Sequence, residues 1–558
     1  MTTTYGYDSA GRVTSASQPE PGGGTLTTGY AYPSGVQTTV TLPTNATQVT
    51  TLYLDGKVKE RGGSAQVDMQ FVYALELGGT GNIVATTQNG SSTANGWTEI
   101  KTDWLGRTMT QRTPEVTWTS GSTKTICKTY SYSGTTGQLL SYTTVDQSTS
   151  AAVMAPHLYN YGTLGQLIQE GDDVDASGAL IASLTDRITN YNTTYSKETT
   201  GYLGWIREDT VEVLRTLNNS SNFATVSDQR IRLTQFNGGA MLGSARVLSD
   251  VVTINPSGRS SETLVSANVT AHTRSQTVSV QGVSNSTLMV WQDGYLKSDQ
   301  SISGVTKTYA YNSQGLPSSV IEGTTNAATS YNYFSNTSYP SSTVVTIGAS
   351  ATATTTYAYT WNTSTQSTMV ALTDAAGNIA YTESNALGLP WHSWGTSAQP
   401  TLTSYDSYGR KTALTTWQTG SFTGTTWPNP SGGNAITWNL DAATGAVTSK
   451  VYPNSSSVGF TYNARGQVKT RTWARGTITT YTYVETSGSS VGELGDLQSI
   501  GYSDSTPGVS YTYTRFGTPA TVIDATGTTA RTLNWLFADF NGSQSELKLK
   551  PENDLWWD

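Results

Sequence analysis

The amino-acid sequence predicts an all-β fold built from tandem β-hairpin repeats, and three observations support that prediction. Short Tyr-x-Tyr segments alternate with period two, which places both rings on one face of a strand. An Asp or Asn follows, and a Gly comes three residues later, so the two residue types that tight turns use stand at a fixed offset. Among 558 residues, 32 are Tyr and 15 are Trp, and aromatic side chains favour a pleated, half-wetted surface.

The repeat unit first stands at residues 5–12 (YGYDSAGR) and returns along most of the chain. Its predicted structural residues are Tyr5, Tyr7, Asp8, Gly11, Arg12, Gly137, Gly165, Tyr309, Tyr311, Gly315, Tyr405, Asp406, Gly409, Arg410, Tyr462 and Gly466. Three pairs of repeat glycines are each 21 residues apart: Gly294 and Gly315, Gly388 and Gly409, Gly445 and Gly466. That period has room for two strands of about six to eight residues with their turns. Because one hairpin cannot bury its aromatic face alone, neighbouring units are expected to stack side by side.

No segment of the sequence has the periodicity of a helix. The best candidate, residues 208–217, has Val211 and Val213 two residues apart, which favours a strand.

Composition excludes several function classes. Charged residues make up 13% of the chain and the net charge is −8, so a basic surface for nucleic acid is not expected. No apolar run approaches the about 18 residues of a spanning helix, and the N-terminus MTTTYGYDSAGR has no signal-peptide pattern. The single cysteine, Cys127, cannot form an internal disulfide and is predicted to be a half-buried strand thiol.

Residues 170–178 contain the pattern D-x-D-x-S-G, the first half of a calcium loop, with Asp173 and Asp175 as candidate ligands. A calcium loop of this type needs a carboxylate at its twelfth position, and counting from Asp173 that position is Leu184. We therefore predict an acidic turn between repeats, with a low-affinity calcium site as the alternative. No cofactor is predicted.

Catalytic patterns are weak. Residues 488–492 fit G-x-S-x-G, but a nucleophile elbow needs a strand before the Ser and a helix after it, and the flanks predict neither. The three histidines, His157, His272 and His392, are far apart in sequence and not at metal-ligand spacing. His392, in the segment PWHSW, is predicted to pack on or beside the sheet. The chain is therefore predicted not to be an enzyme.

Rows of aromatic rings beside Thr and Asn have two interpretations. Cross-strand Tyr ladders stabilise a sheet by about 0.2–1 kcal/mol per pair, and this is the role that we predict. The alternative is a carbohydrate-binding surface, because sugar rings stack on aromatic faces.

The repeat resembles that of the YD-repeat (Rhs-repeat) family, and residues 7–12 (YDSAGR) and 405–410 (YDSYGR) match it best. The predicted repeat domain is residues 1–532, and within it the resemblance runs from about residue 4 to residue 532. The repeat is degenerate between about 170 and 300, where turns such as residues 255–259 and Asp293-Gly294 remain. It implies repeats wound as a spiral β-sheet around a hollow interior, or part of such a shell. In bacterial Rhs proteins and insecticidal toxin complexes the shell encloses a C-terminal toxin, and in teneurins a similar shell serves adhesion.

The function that this resemblance implies is a non-catalytic shell, secreted or on the cell surface, around a toxin cargo that is absent from this chain. The alternative is an adhesion module that binds carbohydrate or a partner protein through the outside of the shell. The family's PxxxxDPxGLxxG-like cleavage segment is missing, and residues 533–558 change abruptly in composition. We expect this tail to mark a truncated or frameshifted shell; the alternative is a genuine cap that includes Trp556 and Trp557.

Overall fold

The structure is a computed structural model. It describes residues 2–75, 82–88, 96–114, 125–199, 204–214, 223–233, 245–254, 259–323, 327–347, 351–396, 398–418, 422–486, 489–515, 517–526 and 529–534. The predicted turn at residues 255–259 lies outside these ranges except for Arg259, and the tail is outside them from residue 535.

The described residues form 41 β-strands and no α-helix. The first twenty-two are β1 (Thr4–Tyr7), β2 (Val13–Pro19), β3 (Thr25–Ser34), β4 (Gln37–Thr41), β5 (Thr47–Leu52), β6 (Val58–Gly62), β7 (Met69–Leu75), β8 (Asn82–Gln88), β9 (Thr98–Thr102), β10 (Thr108–Pro114), β11 (Thr125–Tyr132), β12 (Leu139–Asp146), β13 (Ala151–Tyr161), β14 (Leu167–Asp172), β15 (Arg187–Lys197), β16 (Trp205–Leu214), β17 (Phe223–Arg232), β18 (Ala245–Ile254), β19 (Ser260–Asn268), β20 (Thr273–Val280), β21 (Thr287–Gln292) and β22 (Tyr295–Gln300). The others are β23 (Thr306–Tyr311), β24 (Pro317–Glu322), β25 (Ala327–Tyr333), β26 (Pro340–Ile347), β27 (Ala351–Asn362), β28 (Ser367–Thr373), β29 (Ile379–Ser384), β30 (Pro390–Gly395), β31 (Thr401–Tyr405), β32 (Lys411–Thr416), β33 (Asn434–Leu440), β34 (Val447–Val451), β35 (Ser457–Tyr462), β36 (Val468–Thr472), β37 (Ile478–Tyr483), β38 (Leu497–Tyr502), β39 (Val509–Tyr513), β40 (Pro519–Thr526) and β41 (Thr529–Asn534). The all-β prediction is confirmed. Of the segment 208–217, residues 208–214 lie in β16, and residues 215–217 are outside the described ranges.

Strand order in the sheet follows chain order. Each strand pairs antiparallel with the next one from β1 to β10, from β12 to β23, from β24 to β35 and from β37 to β41. This is the hairpin-after-hairpin order that the repeat predicts, since short connections place sequential strands side by side.

The chain divides into two compact units. Unit 1 comprises Met1–Ile126, Ala310–Gly466 and Thr472–Arg475, and unit 2 comprises Cys127–Tyr309, Gln467–Arg471 and Gly476–Asp558. Each unit is described by itself below.

Repeat turns share one hydrogen-bond pattern, seen clearly at Asp406. Its Oδ1 atom accepts from the backbone N–H groups of Tyr408 and Arg410, both at 2.9 Å, and its Oδ2 accepts from the Arg410 guanidinium at 2.7 Å. Gly409 between them has φ +74°, in the left-handed region that glycine adopts without steric cost. Asp8 with Arg12, and Asp103 with Arg107, repeat the arrangement. The other predicted repeat glycines, Gly11, Gly137, Gly165, Gly315 and Gly466, also have positive φ.

A tyrosine at the end of one strand bonds back to the start of the strand before it. Tyr405, the last residue of β31, donates its hydroxyl to the carbonyl of Pro390, the first residue of β30, at 2.6 Å. Tyr462 does the same to Val447 at 2.6 Å. The same bond joins Tyr161 to Leu139, Tyr333 to Pro317, Tyr483 to Val468 and Tyr513 to Leu497. The second Tyr of the repeat therefore links the two strands of a hairpin at one end.

Most strand residues are half-buried, and few are fully buried. In β2, β5 and β10 every residue is half-buried, and successive residues of a strand point to opposite faces of the sheet. Strand residues on both faces of the sheet therefore keep contact with water instead of filling a thick core.

Candidate functional site

The acidic motif folds as a turn in unit 2, between β14 and β15. Oxygens of Asp173, Asp175 and Asp186 all lie within 4.8 Å of one another, and Asp173 and Asp186 are buried. Asp186 supplies the third carboxylate, two positions beyond Leu184, and Leu184 is exposed. Counting along the calcium loop could not find Asp186, because the turn is longer than the loop that the spacing assumes.

Backbone donors occupy most oxygens of this acidic cluster. Asp173 accepts from the N–H groups of Ser177 and Gly178 at 2.9 and 2.7 Å, and Asp186 accepts from those of Val174 and Ile181 at 2.8 and 2.7 Å. Burial raises the pKa of Asp186. The three carboxylates are the described residues best placed to hold a cation, but their hydrogen bonds are also those of a folded acidic turn.

A second charged group in unit 2 surrounds His157. Its Nδ1 atom lies 2.7 Å from Asp172, and its ring stacks on Tyr142 with centroids 5.1 Å apart. Burial lowers the pKa of His157, but Asp172 and Glu170 raise it more, so the pKa lies above its ordinary value. His157 therefore acts within an ion network between strands and does not face a second imidazole.

Glu493 is buried close to this group. Burial, followed by the negative charge of Asp172, raises its pKa to about 7, although Arg187 forms an ion pair with it at 2.6 Å. Arg187 also pairs with Asp496, so one guanidinium ties the start of β15 to the connection between β37 and β38.

The G-x-S-x-G motif shows none of the geometry of a nucleophile. Gly488 lies outside the described residues, and Ser490 to Gly492 belong to an irregular connection with no helix after it. Cys127 is buried within β11, more deeply than predicted. His272 is largely exposed and contacts Asp293 at 3.1 Å.

His392 lies at a cavity in unit 1 with a volume of about 1080 Å³. Its floor is one face of five adjacent strands, β27 to β31. Alternate residues point into it, and the pairing sets them opposite one another: Ala371 faces Tyr381, Tyr381 faces Trp394, and Glu383 faces His392. Period-two alternation thus gathers a cavity wall from residues scattered over some fifty positions.

The roof of the cavity is formed by residues 422–433, the later part of the long connection between β32 and β33. Thr425, Thr426, Trp427 and Asn429 line the cavity from this side. The connection is anchored because the indole N–H of Trp394 donates to the carbonyl of Gly424 at 2.9 Å. Connections this long inside compact domains are uncommon and tend to be functional.

At the centre of the cavity wall, His392 is held between two indole rings. Trp427 stacks on it at 4.2 Å with an interplanar angle of 6°, and Trp391 stacks at 4.1 Å and 22°. Its Nδ1 atom lies 2.7 Å from Glu383 Oε2, and Ser367 donates its hydroxyl to the other oxygen of Glu383. Burial raises the pKa of Glu383, but the bonds from His392 and Ser367 lower it more, so the carboxylate is held ionised.

This arrangement fixes which nitrogen of His392 is available. Because Nδ1 faces the carboxylate of Glu383, it carries a proton, and Nε2 is the ring nitrogen left to form a further hydrogen bond. Nε2 has no hydrogen bond to any described residue. The order Ser–Glu–His is not that of a nucleophile triad, in which His lies between the acid and the Ser.

The sequence predicted His392 on or beside the sheet, but no pattern in it pointed to Glu383, Ser367 or Trp427. The available signal was the segment from 422 to 433, FTGTTWPNPSGG, which interrupts the repeat texture with Pro and Trp.

Comparisons with known proteins give remote matches. No protein-family model matches the sequence, and no curated protein is similar to it. Among solved structures, the chain is similar to the TcdB2-TccC3 complex, with 12% identity and a TM-score of 0.35 over 96% of this chain and 38% of that one. It is also similar to the Tc holotoxin pore of Photorhabdus luminescens that carries a TccC3 mutation, with 12% identity and a TM-score of 0.40 over 95% of this chain and 30% of that one. The chain thus spans about a third of the length of these structures.

Proposed function

We propose that this chain is a non-catalytic Rhs-type repeat shell that encloses or presents a C-terminal toxin domain encoded beyond these residues. The observation that carries the proposal is the sheet itself: strands paired in chain order, wetted on both faces, with repeat turns at positions where the sequence resembles the YD repeat. A sheet packed against a filled core would bury the residues of one face deeply and expose those of the other. We propose a secreted or cell-surface location with it.

The composition of the chain also supports the proposed shell. The chain is rich in Thr, Ser and Gly, and its exposed large apolar side chains are spread over many strands. Walls without broad apolar patches do not hold an unfolded cargo by hydrophobic contact. Among the residues that the structure describes, no helix is long and apolar enough to span a membrane.

The test uses the product of the complete gene, read through the codons on both sides of residues 1–558. We expect further YD units and an unrelated C-terminal segment that resists trypsin while the sheet is folded. A matched variant, Gly171→Val, would place a Cβ about 2.0 Å from the carbonyl oxygen of Arg187 and should open the sheet and release the segment to digestion. A gene that encodes no further domain, or a segment cleaved equally fast in both proteins, would contradict the proposal.

A further inference from the structure

We propose that residues 489–496, between β37 and β38 in unit 2, form a pH-dependent latch, which is closed on β13–β15 in acid and opens as the medium becomes neutral and then alkaline. The latch lies within unit 2, and it does not depend on whether the sheet encloses a cargo. The segment is called the 489–496 loop below.

The 489–496 loop meets a row of charges that runs across three strands. Pairing sets His157 of β13 opposite Asp172 of β14, and Asp172 opposite Arg187 of β15, so the three side chains share one face of the sheet. Glu170 lies on the same face, two positions before Asp172, and its carboxylate is 3.8 Å from His157 Nε2. These four residues are called the charged row below.

The loop closes on the Arg187 end of the charged row. The Arg187 guanidinium pairs with Glu493 at 2.6 Å and also with Asp496. Glu493 is 7% exposed and its neighbour Leu494 is 5% exposed, so the closed loop keeps both side chains away from water.

Separate bonds hold the base of the loop to its own strands. The backbone N–H of Val484 donates to the carbonyl of Asp496 at 2.9 Å, and that of Tyr513, at the end of β39, donates to the carbonyl of Val491 at 2.8 Å. Because these bonds do not involve the charged row, the tip of the loop is able to leave β13–β15 while its base stays in place.

Charged and titratable groups face Glu493 from each element packed around it. They are Tyr142 of β12, His157 of β13, Asp172 of β14, Arg187 of β15, Tyr513 of β39 and, within the loop, Asp496. Burial raises the pKa of Tyr142 and of Tyr513, so both stay neutral between about pH 5 and pH 8. Glu493 and His157 are therefore the members of this set whose charge changes in that range.

Glu493 holds its proton more tightly when the loop is closed. Burial, followed by the negative charge of Asp172, raises its pKa from 4.5 to about 7. A Glu493 side chain exposed by opening has its ordinary pKa, so the closed state is stabilised at low pH. That stabilisation is lost as pH rises from about 4.5 through about 7.

His157 acts in the same direction through its own charge. Burial lowers its pKa, but Asp172 and Glu170 raise it more, so the imidazolium persists above its ordinary range. While it is protonated, its positive charge favours an ionised Glu493 beside it. Loss of that proton leaves the carboxylates of the loop and of the charged row less compensated.

The charges of the loop and of the charged row show why proton release opens the latch. With Glu493 and His157 protonated, the charged row is neutral and the loop carries one negative charge, on Asp496. Once both protons have left, the row has one negative charge and the loop has two. Like charges then face each other where burial weakens screening by water, and one guanidinium, that of Arg187, is left to offset four carboxylates.

The experiment reports the position of the loop through a fluorophore. In the 558-residue protein with Cys127→Ala, the change Ser490→Cys places one exposed thiol on the loop, and a maleimide fluorophore is attached to it. Anisotropy and acrylamide quenching are then measured from pH 4.5 to pH 8.5. We expect little quenching in acid and a rise of the open population with pH, by up to about tenfold per pH unit for each proton released.

Variants identify the groups responsible. Glu493→Gln keeps the shape of the side chain without a titrating proton, so the label should lose most of its pH response. Asp172→Asn removes the negative charge that raises the pKa of Glu493 and should shrink the response. Glu485→Gln, exposed on the same connection, is the matched control and should respond as the wild type does.

A second label separates opening from unfolding. The change Thr506→Cys, made in place of Ser490→Cys, puts the fluorophore on the exposed turn between β38 and β39 of the same unit. No response is expected there over the same pH range.

Three results would overturn the proposal: no pH response of the label at position 490, equal responses in wild type and Glu493→Gln, or a matching response of the label at position 506, which would mean that unit 2 unfolds as a whole. Asp172→Asn keeps the test decisive if Glu493→Gln does not fold, because an undiminished response in Asp172→Asn also contradicts the proposal.

Discussion

Two regions of the molecule build antiparallel sheet by different means. In unit 1, strands β24 to β35 follow the repeat closely, and Tyr333, Tyr405 and Tyr462 tie hairpins through hydroxyl-to-carbonyl bonds. In unit 2, strands β14 to β19 lie where the repeat is degenerate, and several of them are longer, with ten or eleven residues. There Tyr191 donates its hydroxyl to the carboxylate of Glu170 instead of a backbone carbonyl.

Charged side chains replace the tyrosine bonds in the second region. Arg230 pairs with Glu208 at 2.7 Å across β16 and β17, and Arg232 pairs with Asp250 at 3.0 Å across β17 and β18. Oppositely charged neighbours on adjacent strands favour one register over a slipped one. The same sheet can therefore be held in register by local turn chemistry or by cross-strand charge, and only the first leaves a readable repeat in the sequence.

The largest effect that separates the two regions should be a dependence of stability on pH between about pH 5 and pH 8. Glu493 has its pKa raised from 4.5 to about 7, so the folded state binds its proton more tightly than the unfolded state. The raised pKa of His157 acts in the same direction. Stability that is present at pH 5 is therefore lost as pH rises through the folded pKa values, by up to about 1.4 kcal/mol per pH unit for each proton released.

Hydrogen exchange read by mass spectrometry at several pH values measures this effect peptide by peptide. Peptides of β14 and β15 should exchange faster at pH 8 than at pH 5.5 after correction for the intrinsic rate. Glu493→Gln should flatten that dependence, whereas Glu485→Gln, an exposed change on the same connection, should not. Equal pH dependence in both variants would contradict the role assigned to Glu493.

The next effect should come from the repeat turn. Asp406→Ala removes the acceptor of three hydrogen bonds, and at about 0.5–1.5 kcal/mol for each bond we expect a loss of roughly 2–3 kcal/mol. Asp406→Asn keeps an acceptor for the backbone donors and should lose less. Urea unfolding measures both, and an equal loss in the two variants would show that the turn hydrogen bonds are not what stabilises the hairpin.

A smaller loss is expected for the tyrosine bond. Tyr462→Phe keeps the ring and removes the hydroxyl that donates to Val447, at a cost of about 1 kcal/mol. Tyr452→Phe, in the turn before β35, is the control because its hydroxyl makes no hydrogen bond to a described residue. Faster exchange confined to β34 and β35 in Tyr462→Phe supports the bond, and no difference between the two variants argues against it.

The smallest effect should be that of a single cross-strand ion pair. Arg230 and Glu208 are partly exposed, with 47% and 30% of their side-chain area accessible, so water and salt screen them. Arg230→Met should cost about 0.2–1 kcal/mol, and the loss should shrink further in 1 M salt. A loss well above this range would mean that charge alone carries the register of β16 and β17.

Sequence alone predicted the elements whose chemistry is local. The Asp-to-Gly offset at residues 8–11 and 406–409 specifies a turn within a few bonds, and alternation specifies the strands beside it. The cavity at His392 was not predictable in the same way, because Glu383, His392 and Trp427 meet only after strand pairing and a long connection bring them together. Asp186 was missed for a related reason, since the turn that returns it to Asp173 has no fixed length in sequence.

Small-angle X-ray scattering of the 558-residue protein tests the proposed shell most directly. A compact globule of this length has a radius of gyration of about 24 Å. We predict a clearly larger radius, with the pair-distance distribution peaking beyond the midpoint of the maximum dimension, as a hollow particle gives. A radius near 24 Å with the distribution of a solid particle would contradict the account.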